Sequence, residues 1–201
     1  HRDLHYPLRR QRQMCIRDRF QGVTGSGKTE VYMELISKAI ERGDQVLYML
    51  PEISLTPQMV MRLQSRFGKD VTVYHSKFSI HERTEVWYNV LNNSSKARVV
   101  VGTRSSIFLP FYKLGLIIID EEHELSYKQF DPAPRYHARD TAIILSQIYN
   151  AKILMGSATP SIESSFNLMK DKFGGVQLNE RFGNIELPEI ITIDLKLSYK
   201  K

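Results

Sequence analysis

The run Gly22-Val23-Thr24-Gly25-Ser26-Gly27-Lys28-Thr29 constrains this chain more than any other stretch. It fits the pattern G-x-x-x-x-G-K-S/T at every fixed position, the pattern of a loop that leads into a helix and wraps phosphates in backbone N–H groups. The residue types follow from that task. Glycines let successive amides turn toward an anion, Lys28 reaches the β- and γ-oxygens, and the Thr29 hydroxyl ligates Mg²⁺. Residues 29–42 have helical apolar spacing, so the positive end of that helix faces the same anion. A glycine-rich turn formed by chance is the plainer alternative, and the match at four fixed positions weighs against it.

A second segment fits the first. Gly115-Leu-Ile-Ile-Ile-Asp120-Glu121-Glu122-His123 is a short β-branched run ending in acids, which predicts a buried parallel strand that delivers carboxylates to a sheet edge. Beside a phosphate-binding loop, Asp120 is expected to hold Mg²⁺ through water. Glu121 is expected to orient or deprotonate the attacking water. Alone, the segment could equally be a solvated acidic strand end.

Short apolar runs alternate with helical patterns along the chain, as in a mostly parallel sheet wrapped by helices on both faces. Strands are predicted at 45–50, 71–75, 98–102, 116–120 and 152–156. Helices are predicted at 29–42, closed by Gly43, and at 57–67, closed by Gly68. Ser79-Ile-His-Glu82 reads as a capping box opening a helix that runs to Asn92, with Trp87 in the core. Residues 136–149 carry Ala142, Leu145 and Ile148 on one apolar face, and Thr159-Pro160 has the chemistry to start a last helix. At 201 residues and 23.3 kDa the chain suits one well-buried domain.

Several segments together resemble the superfamily 2 helicases, and within them the PriA family of replication-restart helicases. They are Gly22-Val-Thr-Gly-Ser-Gly-Lys-Thr-Glu-Val-Tyr32, Leu50-Pro-Glu-Ile-Ser-Leu-Thr56-Pro-Gln58, Val101-Gly-Thr-Arg104-Ser-Ser-Ile-Phe108, Asp120-Glu-Glu-His123 and Gly156-Ser-Ala-Thr159-Pro-Ser161. Tyr127-Lys-Gln-Phe130 and Pro134-Arg-Tyr136-His-Ala-Arg139-Asp140 belong to the same likeness. The resemblance implies the first of two RecA-like lobes of an ATP- and Mg²⁺-dependent 3′-to-5′ DNA helicase. It also implies forked or single-stranded DNA, primosome components and single-strand-binding proteins as partners, and a cytoplasmic setting without membrane association. The helicase lobe would occupy residues 20–180, and 181–201 would lead toward a second lobe, with a strand at Leu187–Asp194. The zinc-binding clusters of the family are not expected, because the single Cys15 cannot supply a four-ligand site. Two alternatives stand beside this: another P-loop NTPase such as a small-molecule kinase, and a non-catalytic nucleotide- or nucleic-acid-binding fragment.

Nucleic-acid contacts are expected in two places. Arg104 and Ser105 follow a strand and offer a guanidinium and a hydroxyl suited to a phosphate backbone, although a capped turn would look the same. Further on, Tyr127, Phe130 and Tyr136 interleave with Lys128, Arg135 and Arg139, a composition suited to stacking single-stranded bases or to anchoring a surface loop. His123 is expected to link the acids to Thr159. The net charge of +6 is concentrated in residues 1–19, whose six Arg and two Asp leave +2 for the rest. That segment lacks apolar periodicity and reads as foreign or disordered sequence, with a basic nucleic-acid-binding arm as the alternative.

Overall fold

The computed structural model describes residues 17–23, 25–178 and 180. Thr24, Cys15 and the strand expected at Leu187–Asp194 lie outside the described residues. Among the described residues seven strands form one sheet: β1 (Arg17–Gly22), β2 (Gln45–Met49), β3 (Val71–Tyr74), β4 (Val99–Gly102), β5 (Leu114–Ile119), β6 (Lys152–Ser157) and β7 (Gly174–Leu178). Their order is β3-β4-β2-β5-β6-β1-β7, and every neighbouring pair is parallel. Five α-helices connect them: α1 (Lys28–Glu41), α2 (Pro57–Phe67), α3 (Ile80–Leu91), α4 (Ala138–Ile148) and α5 (Ile162–Met169).

Alternating strand residues build a separate core on each face. On one face Val46, Tyr48, Val99, Val101, Leu116, Ile118 and Leu154 pack with Val31, Ile36 and Ala39 of α1 and Leu63 of α2. On the other, Leu47, Met49, Val100, Ile117, Ile119, Ile153 and Met155 pack with Val86 and Val90 of α3 and Ala138 and Ala142 of α4. Because all strands run the same way, their C-terminal ends open on one rim, from which the P-loop, the 50–56 loop, the 103–108 turn, the acidic turn and the 157–161 loop all leave.

Four expectations need correction. The boundary placed after residue 19 falls inside β1, which lies between β6 and β7 with Asp18 and Arg19 buried. Strand pairing on both sides outweighs a polar sequence here. Trp87 is 40% exposed, because α3 meets the core through Val86 and Val90 and Trp87 lies one step round the helix. The 136–149 helix starts at Ala138, and Ile148 at its far end is exposed. The last helix begins at Ile162 with Ser161, not Thr159, as its cap; Ser161 Oγ accepts from the Ser164 amide at 3.2 Å. The capping box of α3 forms as expected, with Ser79 and Glu82 bonded reciprocally.

Candidate functional site

The P-loop joins β1 to α1. Gly25 and Gly27 have φ of 80° and 85°, and a Cβ at either would meet nothing within 4 Å. Conformation, not crowding, therefore calls for glycine at both. No side chain caps the start of α1, which leaves its first turn suited to an anion. Lys28 Nζ donates to the Gly22 carbonyl at 2.7 Å and lies 4.0 Å from Glu121 Oε1. The lysine thus joins the phosphate loop to the acidic turn after β5.

Asp120 is held from every side. Its amide donates to Met49 O at 3.0 Å, and its carboxylate accepts from Tyr32 at 3.1 Å, Tyr48 at 3.4 Å and the Glu121 amide at 3.1 Å. The Tyr127 hydroxyl donates to the Asp120 carbonyl at 2.7 Å and to Met49 O at 3.1 Å. Burial raises the Asp120 pKa, and the neighbouring Glu121 charge adds to the rise. Burial likewise pushes the Tyr32, Tyr48 and Tyr127 hydroxyls well above their usual value, so they stay donors.

Glu121 has φ 46°, in the left-handed region, a conformation that costs on the order of 1–3 kcal/mol for a non-glycine residue. Its neighbours hold it there: Asp120 is tied to β2, and the Glu122 amide donates to Gly156 O of β6 at 3.0 Å. The fully buried Glu122 carboxylate accepts from Arg139 at 3.1 Å, from the Ser161 amide at 2.8 Å and hydroxyl at 3.1 Å, and from the Ser164 hydroxyl at 2.9 Å. The turn aims the Glu121 carboxylate between Lys28 and His123, 3.6 Å from His123 Nδ1. His123 Nδ1 is 2.7 Å from Ser157 Oγ, and its Nε2 is 3.4 Å from Thr159 Oγ1. The link expected from His123 to Thr159 is thus present as a chain of polar contacts.

These residues fit a magnesium-bound nucleotide. Thr29 and Asp120 offer hard oxygen donors beside an open anion cradle, and among the described residues no trio of His, Cys, Asp or Glu could hold a metal alone. Mg²⁺ commonly takes one or two protein oxygens and completes its shell with water and substrate phosphates. When bound it would neutralise charge on the phosphate chain. Glu121, within reach of Lys28 and a third exposed, can orient a water or accept its proton.

The surface expected to meet nucleic acid divides. Tyr127 is 1% exposed and belongs to the acidic turn, so it offers no face for stacking. Arg139 is buried on Glu122 and Asp140. Arg104 donates to Lys128 O at 2.9 Å, which ties the 103–108 turn to the base of the aromatic loop. Half-buried Ser105 lies in that turn. Phe130 and Arg135 stand exposed, with Lys128 Nζ 4.9 Å from the centre of the Phe130 ring. Tyr136 meets exposed Phe108 edge-on at 4.8 Å. The open surface therefore comprises Phe108, Lys128, Phe130, Arg135 and part of Tyr136. Sequence reasoning passed over Glu122, Tyr32 and Tyr48, whose signals are an acid inside the motif and two tyrosines at buried positions.

Residues 6–167 match the family model of the DEAD/DEAH box helicases. The chain belongs to this family. Replication restart protein PriA of Haemophilus influenzae is 48% identical to this helicase lobe over 175 residues, covering 87% of the chain and 24% of that protein. PriA of Bacillus subtilis is 45% identical over 175 residues, covering 87% of the chain and 21% of that protein. PriA of Chlamydia trachomatis is 41% identical over 194 residues, covering 94% and 26%. The lobe spans about a quarter of the length of these relatives. Among solved structures, RecG bound to a three-way DNA junction superposes with a TM-score of 0.60 at 24% identity, over 84% of this chain and 21% of that one. The helicase MrfA bound to DNA gives 0.56 at 18%, over 82% and 25%. At these identities the likeness concerns the fold, which is the RecA-like α/β architecture expected from the sequence. No described helix is long and apolar enough to cross a membrane.

Proposed function

We propose that this helicase lobe is the ATP-binding half of a 3′-to-5′ DNA motor acting in replication restart, with ATP and Mg²⁺ at the P-loop and forked or single-stranded DNA as its track. The observation that carries the proposal is the convergence of Lys28, Asp120, Glu121 and His123 at one rim, with the aromatic loop rooted on the backbone carbonyl of Asp120 through Tyr127. Gly22 to Thr29 would cradle the phosphates, Thr29 and Asp120 would hold the metal, and Glu121 would place the attacking water. His123 would carry the state of the phosphate site to Thr159 and the start of α5. Phe130, Tyr136 and Phe108 would stack bases, while Lys128 and Arg135 would meet phosphates. Its proposed partners are primosome components and single-strand-binding proteins, in the cytoplasm, a reading supported by the likeness to replication restart proteins.

One lobe alone lacks the arginine that a second lobe would bring to the transition state, a group worth about 10³–10⁵ in rate. The test compares ATP hydrolysis by residues 1–201 with that of the two-lobe protein, with and without single-stranded DNA. Weak turnover by the single lobe and strong DNA-stimulated turnover by the two-lobe protein support the proposal. Robust DNA-stimulated turnover by the single lobe, or none by the two-lobe protein, would overturn it.

A further inference from the structure

We infer that Tyr32 is a positioning residue for the metal-side carboxylate, and that its hydroxyl joins Asp120 to the backbone of β6 at Gly156. The inference rests on the Mg²⁺–nucleotide reading of the site. Tyr32 sits on α1 one turn beyond Thr29 and is fully buried. Its ring is fixed edge-on between Phe20, 5.9 Å away, and Tyr48, 5.7 Å away. Its hydroxyl donates to Asp120 Oδ1 at 3.1 Å, while Tyr48 donates more weakly to Oδ2 at 3.4 Å. Two phenols therefore set the rotation of a carboxylate that lies beside a second acid; Oδ1 also accepts from the Glu121 amide, and Oδ2, which accepts from Tyr48 alone, keeps a lone pair for the metal's water shell.

Gly156 gives the hydroxyl its place. A Cβ there would lie 1.7 Å from Tyr32 Oη, so any side chain at 156 would expel the phenol from Asp120. The same residue's carbonyl accepts the Glu122 amide. Gly156 thus touches both neighbours of Glu121, one through Tyr32 and Asp120 and the other directly. A shift of β6 at this point moves the metal-side and water-side acids together.

The test is a titration of the 201-residue chain with a fluorescent ADP analogue, once in EDTA and once in excess Mg²⁺. In the unaltered chain Mg²⁺ should tighten binding; no nucleotide binding in either buffer would refute the nucleotide reading itself. Tyr32→Phe keeps the ring and loses the hydroxyl. It should reduce the Mg²⁺-dependent tightening by about three- to tenfold, the scale of one ordinary net hydrogen bond, with affinity in EDTA unchanged within about twofold. Tightening equal to that of the unaltered chain, or an equal loss in both buffers, would overturn the inference. Tyr48→Phe should show a smaller loss of the same kind. Gly156→Ala should reproduce the metal-specific loss of Tyr32→Phe, and the double variant should be no worse than the worse single one, because both remove the same contact. Additive losses would refute the link through Gly156.

Discussion

The two rims of the sheet use the same uncommon backbone conformation to different ends. On the rim where strands begin, each of the five helices is followed within two residues by a left-handed residue: Gly43, Gly68, Asn93, Asn150 and Asp171. In all five the amide turns back onto the helix just ended: Gly43 to Ile40, Gly68 to Gln64, Asn93 to Val90, Asn150 to Gln147 and Asp171 to Leu168. These are helix closures, satisfied locally. On the rim where strands end, Glu121 is the one described non-glycine residue in that region, and no helix precedes it. Its conformation comes from β2 on one side and β6 on the other. The first rim stores its geometry in the sequence, and the second in tertiary contacts.

The largest expected effects fall on the second rim. In a two-lobe protein Lys28→Ala should abolish ATP turnover by removing a charge-assisted phosphate contact, with a loss of about 10²–10³ or more. Glu121→Gln keeps the turn, and should lose about 10²–10⁴ in turnover while retaining nucleotide binding. Steady-state hydrolysis set against a binding titration separates the two, and equal loss of both by Glu121→Gln would count against its catalytic role.

Next come the buried supports of that rim. Glu122→Ala takes from Arg139 its buried carboxylate, leaving it the more exposed Asp140, and should cost about 3–5 kcal/mol in denaturant unfolding. A cost under about 1 kcal/mol would show that Glu122 does not pin the acidic turn. Tyr127→Ala should cost about 3–5 kcal/mol as a core truncation, whereas Phe130→Ala should stay within about 0.5 kcal/mol and lower DNA-stimulated hydrolysis instead. Similar melting shifts for both would erase the division drawn between anchor and stacking surface.

Asp18 lies between the rims, in β1, where burial pushes its carboxyl up to about 6 despite the opposing charge of Lys152. A carboxyl whose folded pKa is raised from 3.8 binds its proton more tightly when folded. Its penalty is absent below about pH 4, grows between about pH 4 and 6, and is complete above that range, on the order of 3 kcal/mol. The stability advantage of Asp18→Val over the unaltered chain should therefore be large at pH 7 and shrink toward pH 4. An advantage that does not change with pH would place the cause elsewhere. The smallest effect belongs to the first rim: Asn150→Gly should change stability by no more than about 1 kcal/mol, in the stabilising direction. A clear loss would mean that the Asn150 side chain matters beyond its backbone.

The contrast explains what the sequence could show. The five strand runs rich in Val, Ile and Leu, the glycines after α1 and α2, and the Ser79 capping box were legible because each depends on neighbours in the chain. β1 was not, because Arg17-Asp-Arg19 has no strand pattern, and it enters the sheet only through register with β6 and β7. Short β7, opening on Gly174-Gly175, was missed for the same reason. Lys28, Asp120, Glu121 and His123 do come together as their motifs implied, since fixed motif spacing on a parallel sheet leaves few arrangements. The aromatic loop was legible in composition only. Nothing local distinguishes Tyr127, whose hydroxyl reaches back to Asp120, from Phe130, which faces solvent, and nothing in Glu122 announces that it is buried beneath two serines.

The aromatic loop is closed at its base, where Lys128 and His137 form a bridge and the Gln129 amide donates to Tyr136 O at 2.8 Å. Between those anchors the tip is held by the Gln129 side chain, which donates to the Pro132 carbonyl at 2.8 Å and the Pro134 carbonyl at 3.3 Å. Doubling the length of such an insert adds only about 0.6 kcal/mol of closure entropy, so variants of this lobe can carry longer or shorter tips with little change in the register of Tyr127 or α4. Tips of different length and stacking capacity grafted between residues 129 and 136 would therefore probe the proposed contact with nucleic acid while the acidic turn stays as it is.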